Sequence, residues 1–208
     1  LDGAFGEDRA IDGLPINLER LQEIRSAVPE TPIQYGGGLR SLAEVETALA
    51  LGANRAILGT AALLNPGLVT EAVRRFGAKR IVAGIDARDG LVATHGWRQG
   101  SNTTAAALGR DMRERGVIRV VYTDISRDGM LSGVNAEATA SLARETGLQV
   151  IASGGVATVE DVTRLRDQAH EGIEAVIVGQ ALYSGQISLQ EAILMARGPV
   201  GKSAEPSS

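Results

Sequence analysis

Two carboxylates and a hydroxyl stand where short apolar runs end, and these are the residue types that can move protons. Asp86 closes the run Ile81-Val82-Ala83-Gly84-Ile85, and Thr123-Asp124-Ile125-Ser126-Arg127-Asp128-Gly129 follows the run Ile118–Tyr122. A carboxylate at the end of a buried strand is well placed for general acid–base work; it serves equally well to cap the turn that follows. The second stretch carries two hydroxyls, two carboxylates and an arginine, which is dense for a turn, although Asp124 suits the capping of backbone amides and Asp128-Gly129 an ordinary turn. Four glycine-rich segments accompany these groups: Gly36-Gly37-Gly38, Gly59-Thr60, Gly154-Gly155 and Gly179-Gln180. Glycine lets the backbone approach an anion closely, so that N–H groups near a helix start point at it. Thr60 and Ser153 add hydroxyl donors. Arg40, just past the first glycines, suits a phosphate or a neighbouring carboxylate.

Composition narrows the ligand. The net charge of −4 offers no basic face for nucleic acid, whereas a local cup of amides still suits a small anion. There are no cysteines and 2 histidines, His95 and His170, so neither a thiolate site nor a His-rich metal centre is expected, and a reducing, cytoplasmic setting fits. His170 falls in a polar stretch that reads as solvent-facing. No apolar run reaches the roughly 18 residues of a membrane span. Trp97 is the only tryptophan. It ends the alternating segment Leu91–Trp97, which follows Asp89-Gly90 and reads as a small hairpin that would bring the indole over the site, where it can stack on a flat heterocycle.

These residues need a frame. Ile33–Tyr35, Arg55–Leu58, Arg80–Ile85, Ile118–Tyr122, Gln149–Ala152 and Ala175–Val178 read as buried parallel strands. Helical segments lie between them, over 17–27, 42–51, 66–76, 102–115, 135–146, 158–168 and 188–197. Ser41 and Glu44 have capping-box spacing, and Asn65 precedes Pro66 at a first helical position. From Gly198 to Ser208 periodicity is lost, which predicts a disordered tail after a domain spanning 1–197.

An internal repeat organises the whole. Gly37-Gly38-Leu39 and the helix after it align with Gly154-Gly155-Val156 and its helix at an offset of 117, while Gly52 and Ala56–Ala61 align with Gly172 and Val176–Ala181 at an offset of 120. Asn17 and Asn135 match as residues preceding their helices. A duplicated strand–helix unit closes naturally into a (β/α)₈ barrel of two half-barrel repeats. In that frame the paired glycine loops form two phosphate cups on opposite sides of one barrel mouth: Gly37, Gly38, Gly59 and Thr60 in one, Gly154, Gly155, Gly179 and Gln180 in the other. The ligand is then a doubly phosphorylated small molecule. Counting units against the repeat predicts that the first βα unit and most of the second strand, on the order of 40 residues, are missing from the N-terminus.

Taken together, Leu1-Asp2-Gly3-Ala4, Gly36–Ser41, Gly84–Gly90, Gly96-Trp97, Thr123–Gly129 and Val178–Leu182 resemble the HisA family, the phosphoribosylformimino-aminoimidazole-carboxamide ribotide isomerases of histidine biosynthesis. The resemblance runs from Leu1 to about Arg197. It implies an Amadori rearrangement of an aminoaldose to an aminoketose without metal or cofactor. It places the acid at Asp86 with a supporting hydroxyl at Thr123, makes Asp128 and Trp97 loop residues that close over the substrate, and makes Arg40 and Ser153 substrate contacts. The family's catalytic base ends the first strand, which the repeat count finds missing. A monomer is expected. Three other readings stay open: an inactive phosphate-binding remnant; the related cyclase, whose sixth strand does not usually read Thr-Asp-Ile-x-Arg-Asp-Gly; and a bifunctional His/Trp isomerase, which carries an arginine before Gly-Trp where this chain has Ala93-Thr94-His95.

Overall fold

A computed structural model describes residues 16–94, 97 and 99–198. The expectations made for Leu1–Ala4, for His95 and Gly96, and for the tail beyond Gly198 lie outside the described residues.

The chain alternates strand and helix. In order it forms α1 (Ile16–Ala27), β1 (Gln34–Gly36), α2 (Leu42–Ala50), β2 (Arg55–Leu58), α3 (Thr60–Leu64), α4 (Pro66–Phe76), β3 (Ile81–Arg88), β4 (Leu91–Thr94), β5 (Gln99–Thr104), α5 (Ala105–Glu114), β6 (Arg119–Asp124), α6 (Ala136–Thr146), β7 (Gln149–Ser153), α7 (Val159–Asp167), β8 (Ile173–Val176), α8 (Gln180–Tyr183) and α9 (Leu189–Arg197). Six strands lie parallel in the order β1-β2-β3-β6-β7-β8. This is an α/β fold of the kind found in (β/α)₈ barrels, with β1 and β8 at the two ends of the path among the described residues.

Strand alternation sorts the side chains onto two faces. Ala83, Ile85, Val120, Tyr122 and Val150 join Val69, Ala72, Leu108 and Met112 of the helices in the main core. Val82, Val121 and Ile151, with Ile57 against them, form a separate cluster on the other face of the sheet. Each such aliphatic side chain, fully buried, contributes about 1.5–3 kcal/mol. At the N-terminal ends of the strands the buried Arg119 guanidinium bonds both oxygens of Glu174 and reaches Gln149 Oε1 at 2.9 Å. A charge that deep is tolerated because it is paired.

Several local predictions are corrected. Residues 102–104 extend β5 rather than opening the helix, which starts at Ala105 with Thr104 as its N-cap. The hairpin is larger than expected. β3 continues to Arg88, Asp89 and Gly90 both take positive φ (51° and 77°), and β4 returns antiparallel with Arg88 opposite Leu91. Positive φ at both central residues is the turn that matches strand twist, and Asp-Gly favours it. Trp97 then sits in a turn between β4 and β5 rather than on a strand. The last strand lies at Ile173–Val176, two residues earlier than predicted. Asn17 lies within α1 and not before it, whereas Asn135 is a true N-cap that accepts from Ala138 N.

The two aligned stretches share backbone detail. Gly37 and Gly38 have φ of 115° and 74°, Gly154 and Gly155 of 93° and 83°, and Gly52 and Gly172 both of 106°. Ser41–Glu44 and Thr158–Asp161 both form capping boxes at the start of 9-residue helices. Gly59 and Gly179 precede their short helices with φ/ψ of −90°/−96° and −108°/−97°. The slip of three in the alignment is the 3-residue 3-10 turn Ala169–Glu171, inserted between α7 and Gly172.

Candidate active site

The parallel register sets Asp86 opposite Thr123, and Thr123 opposite Ser153. The three side chains therefore share a row near the C-terminal ends of β3, β6 and β7. By alternation they lie on the face of Val121 and Ile151, away from the main core. Gly84 sits next along β3 below Asp86; a Cβ there would come within 3.1 Å of Gly59 Cα, so glycine lets the end of β2 close in on β3.

Two loops reach over this row. Trp97 donates its indole N–H to Asp86 Oδ2 at 2.9 Å. Its φ of 70° is unusual for a bulky side chain and costs about 1–2 kcal/mol. A hydrogen bond to a carboxylate, at about 1.5–3 kcal/mol net, is enough to offset that. Asp128 comes from the loop after β6. Burial pushes its carboxyl above the usual aspartate range, and the Asp86 charge facing it adds to the rise.

Asp124 has a different job. Burial alone would raise its carboxyl, but bonds from Ser126 Oγ, from Asn135 Nδ2 at 2.9 Å and from Ser126 N at 3.1 Å, with the Arg127 charge, hold it below the usual range. Arg127 in turn donates to Gly133 O at 3.1 Å. Asp124 is therefore the clamp of the loop that carries Asp128. Its capping reading was available from sequence; its partner Asn135, 11 residues on, was not.

The glycine loops flank the row. Gly36 lies opposite Ile57, so Gly37-Gly38 and Gly59-Thr60 leave adjacent strands, with Thr60 opening α3. On the other side Ser153, Gly154, Gly155, Gly179 and Gln180 line one pocket together with Asp128. A Cβ at Gly59 or Gly179 would meet no atom within 4 Å. The two loop pairs are separated by about four strand spacings, roughly 19 Å along the sheet. Arg40 is exposed on the rim; its backbone N–H donates to Glu44 Oε2 at 2.6 Å, and its guanidinium bonds no described residue. His170 is exposed, with Nδ1 3.1 Å from Asp167 O, away from the site. The short helices α3 and α8 went unread in the sequence, since neither Thr60–Leu64 nor Gln180–Tyr183 is long enough to show helical periodicity. No helix among the described residues is long and apolar enough to cross a membrane.

A parallel α/β sheet with a carboxylate, hydroxyls and glycine loops at the C-terminal ends of its strands is the layout found in barrel-type enzymes. Residues 8–188 match the histidine biosynthesis protein family, and the chain belongs to that family. Among its relatives, a protein of Heliobacterium modesticaldum is 50% identical over 197 residues, covering 95% of this chain and 77% of the relative. One of Desulforamulus reducens is 48% identical over 198 residues, with the same two coverages of 95% and 77%. One of Hahella chejuensis is 47% identical over 192 residues, 92% of this chain and 76% of the relative. All three are named 1-(5-phosphoribosyl)-5-((5-phosphoribosylamino)methylideneamino)imidazole-4-carboxamide isomerase.

Proposed function

We propose that this chain is the isomerase its relatives are named for, converting the doubly phosphorylated aminoaldose of histidine biosynthesis into its aminoketose. The observation that carries the reading is the Asp86–Thr123–Ser153 row with a glycine loop pair on either side of it. Such a layout suits a substrate with a phosphate at each end and the reacting ribose between. An acid gives its proton to the ring oxygen as the C1–O bond breaks, leaving a protonated Schiff base at C1. Loss of the C2 proton to a base then gives the enolamine, and protonation at C1 with loss of the C2 hydroxyl proton yields the ketone at C2. Atoms and electrons balance within the one molecule, and no redox partner is required.

In this reading Asp86 is the acid and Thr123 its supporting hydroxyl, and Asp128, its carboxyl raised by burial and by the Asp86 charge, closes over the substrate. Arg40, Ser153 and Trp97 contact substrate. Gly37, Gly38, Gly59 and Thr60 grip one phosphate; Gly154, Gly155, Gly179 and Gln180 grip the other. The matching dihedrals at Gly37-Gly38 and Gly154-Gly155 favour descent from a duplicated half-barrel and explain why two equivalent grips exist.

The test is turnover of the aminoaldose by the full-length enzyme and by its Asp86→Asn variant. Asparagine keeps the shape and cannot deliver the proton, so kcat should fall by about 10²–10⁴ while substrate still binds. Near-normal turnover would remove Asp86 from the acid role.

A further inference from the structure

Asp86 accepts one side-chain hydrogen bond from a described residue, the one from Trp97 Nε1 to Oδ2. A carboxylate on a strand is free to rotate about its last bond unless a donor fixes one oxygen. Here the need is sharper, because the facing Asp128 is close enough for its own carboxyl to feel the Asp86 charge. Like charges across a site drive such groups apart. The indole N–H opposes this by neutralising part of the Asp86 charge and tethering Oδ2, while Oδ1 takes no side-chain donor among the described residues. Trp97 makes this bond from a left-handed backbone, with φ of 70°. Stacking on a substrate ring is a property of the flat indole surface; the tether is a property of one N–H. The two roles are chemically separable.

We propose that Trp97 is a positioning residue for Asp86: its indole N–H holds one carboxylate oxygen so that the other meets the substrate, a task distinct from covering the site. This rests on the isomerase reading above, and phenylalanine separates the two roles because it keeps a flat ring and has no donor. Trp97→Phe should lower kcat by about 10–100-fold, as expected for a misplaced reacting group, with KM changed less than about threefold. Unchanged kcat and KM, or a raised KM alone, would show that only the ring matters and would overturn the proposal. Because Trp97 is the only tryptophan, its fluorescence reports the same contact without any turnover. Asp86→Ala removes the acceptor, and acrylamide quenching of Trp97 should then rise about twofold or more with a red-shifted emission, given that a tethered turn shields the indole better than a free one. Quenching that stays the same means the tether does not exist in solution, and it decides the matter alone if the phenylalanine variant does not fold. Absence of turnover in the full-length enzyme would sink the isomerase reading, whereas normal turnover there with an indifferent Trp97→Phe sinks only the proposal.

Discussion

The two glycine loop pairs have nearly the same backbone and very different surroundings. Gly37 and Gly38 are exposed, whereas Gly154 and Gly155 are buried. A Cβ at Gly154 would stand 2.6 Å from Asp124 O, and one at Gly155 would stand 2.6 Å from Gly133 O and 2.8 Å from Arg127 Cβ. The second pair is thus packed against the loop that carries Asp128, and Gly133 N donates to Gly155 O at 3.0 Å. Its glycines are demanded by the protein itself, whether or not an anion is bound. The lesson is that positive-φ glycine pairs in repeat register report a shared local geometry, while the reason each glycine is needed depends on what the rest of the chain lays against it.

Substitutions can break or sharpen this contrast. Gly155→Ala should be the most damaging to stability, by about 3–5 kcal/mol, since it combines a left-handed backbone with a backbone clash. Gly38→Ala, at an exposed position, carries the left-handed backbone cost of about 1–2 kcal/mol. Chemical denaturation of both gives the difference directly, and equal losses would erase the asymmetry. Asp124→Ala should follow at about 2–4 kcal/mol, because it strips the partners from Ser126, Asn135 and Arg127 that shape the loop behind Gly154. If its loss is below 1 kcal/mol, the buttress is not what holds the second pair in place.

Smaller effects separate binding from packing. Gly179→Ala has room for its methyl, so melting should shift by no more than about 2 °C while KM rises through poorer approach to phosphate. A large drop in melting temperature with unchanged KM would reverse that assignment. The last prediction concerns Asp128, whose carboxyl is raised in the fold. Between the ordinary aspartate pKa and this raised one the folded state binds more protons than the unfolded chain, so stability falls as pH rises through that window. Asp128→Asn should therefore melt higher than the parent at pH 7, and the gain should vanish below about pH 4, where both states are protonated. A gain that persists in acid would trace to something other than the Asp86 charge and burial.

Much of this was legible from residue order. Alternation of apolar runs with amphipathic segments gave the parallel α/β frame, because burial on both faces of a strand and on one face of a helix leaves different periods. The repeat locates both glycine pairs; Asp86 stands out as the carboxylate ending an apolar run, Thr123 as part of the dense polar stretch after another, and Ser153 as a hydroxyl beside the second glycine pair. What the chain order could not carry is contact between segments distant in sequence. That Asp86, Thr123 and Ser153 form one row follows from strand register, which is fixed by how neighbouring strands pack. That Asp128 feels Asp86, that Trp97 donates to it, and that Asn135 and Arg127 hold Asp124 depend on loop paths set by tertiary packing. Electrostatic shifts and steric demands act through space at a few ångströms. Sequence therefore determined which groups were available and on which elements they ride, and only the folded sheet decided which of them touch.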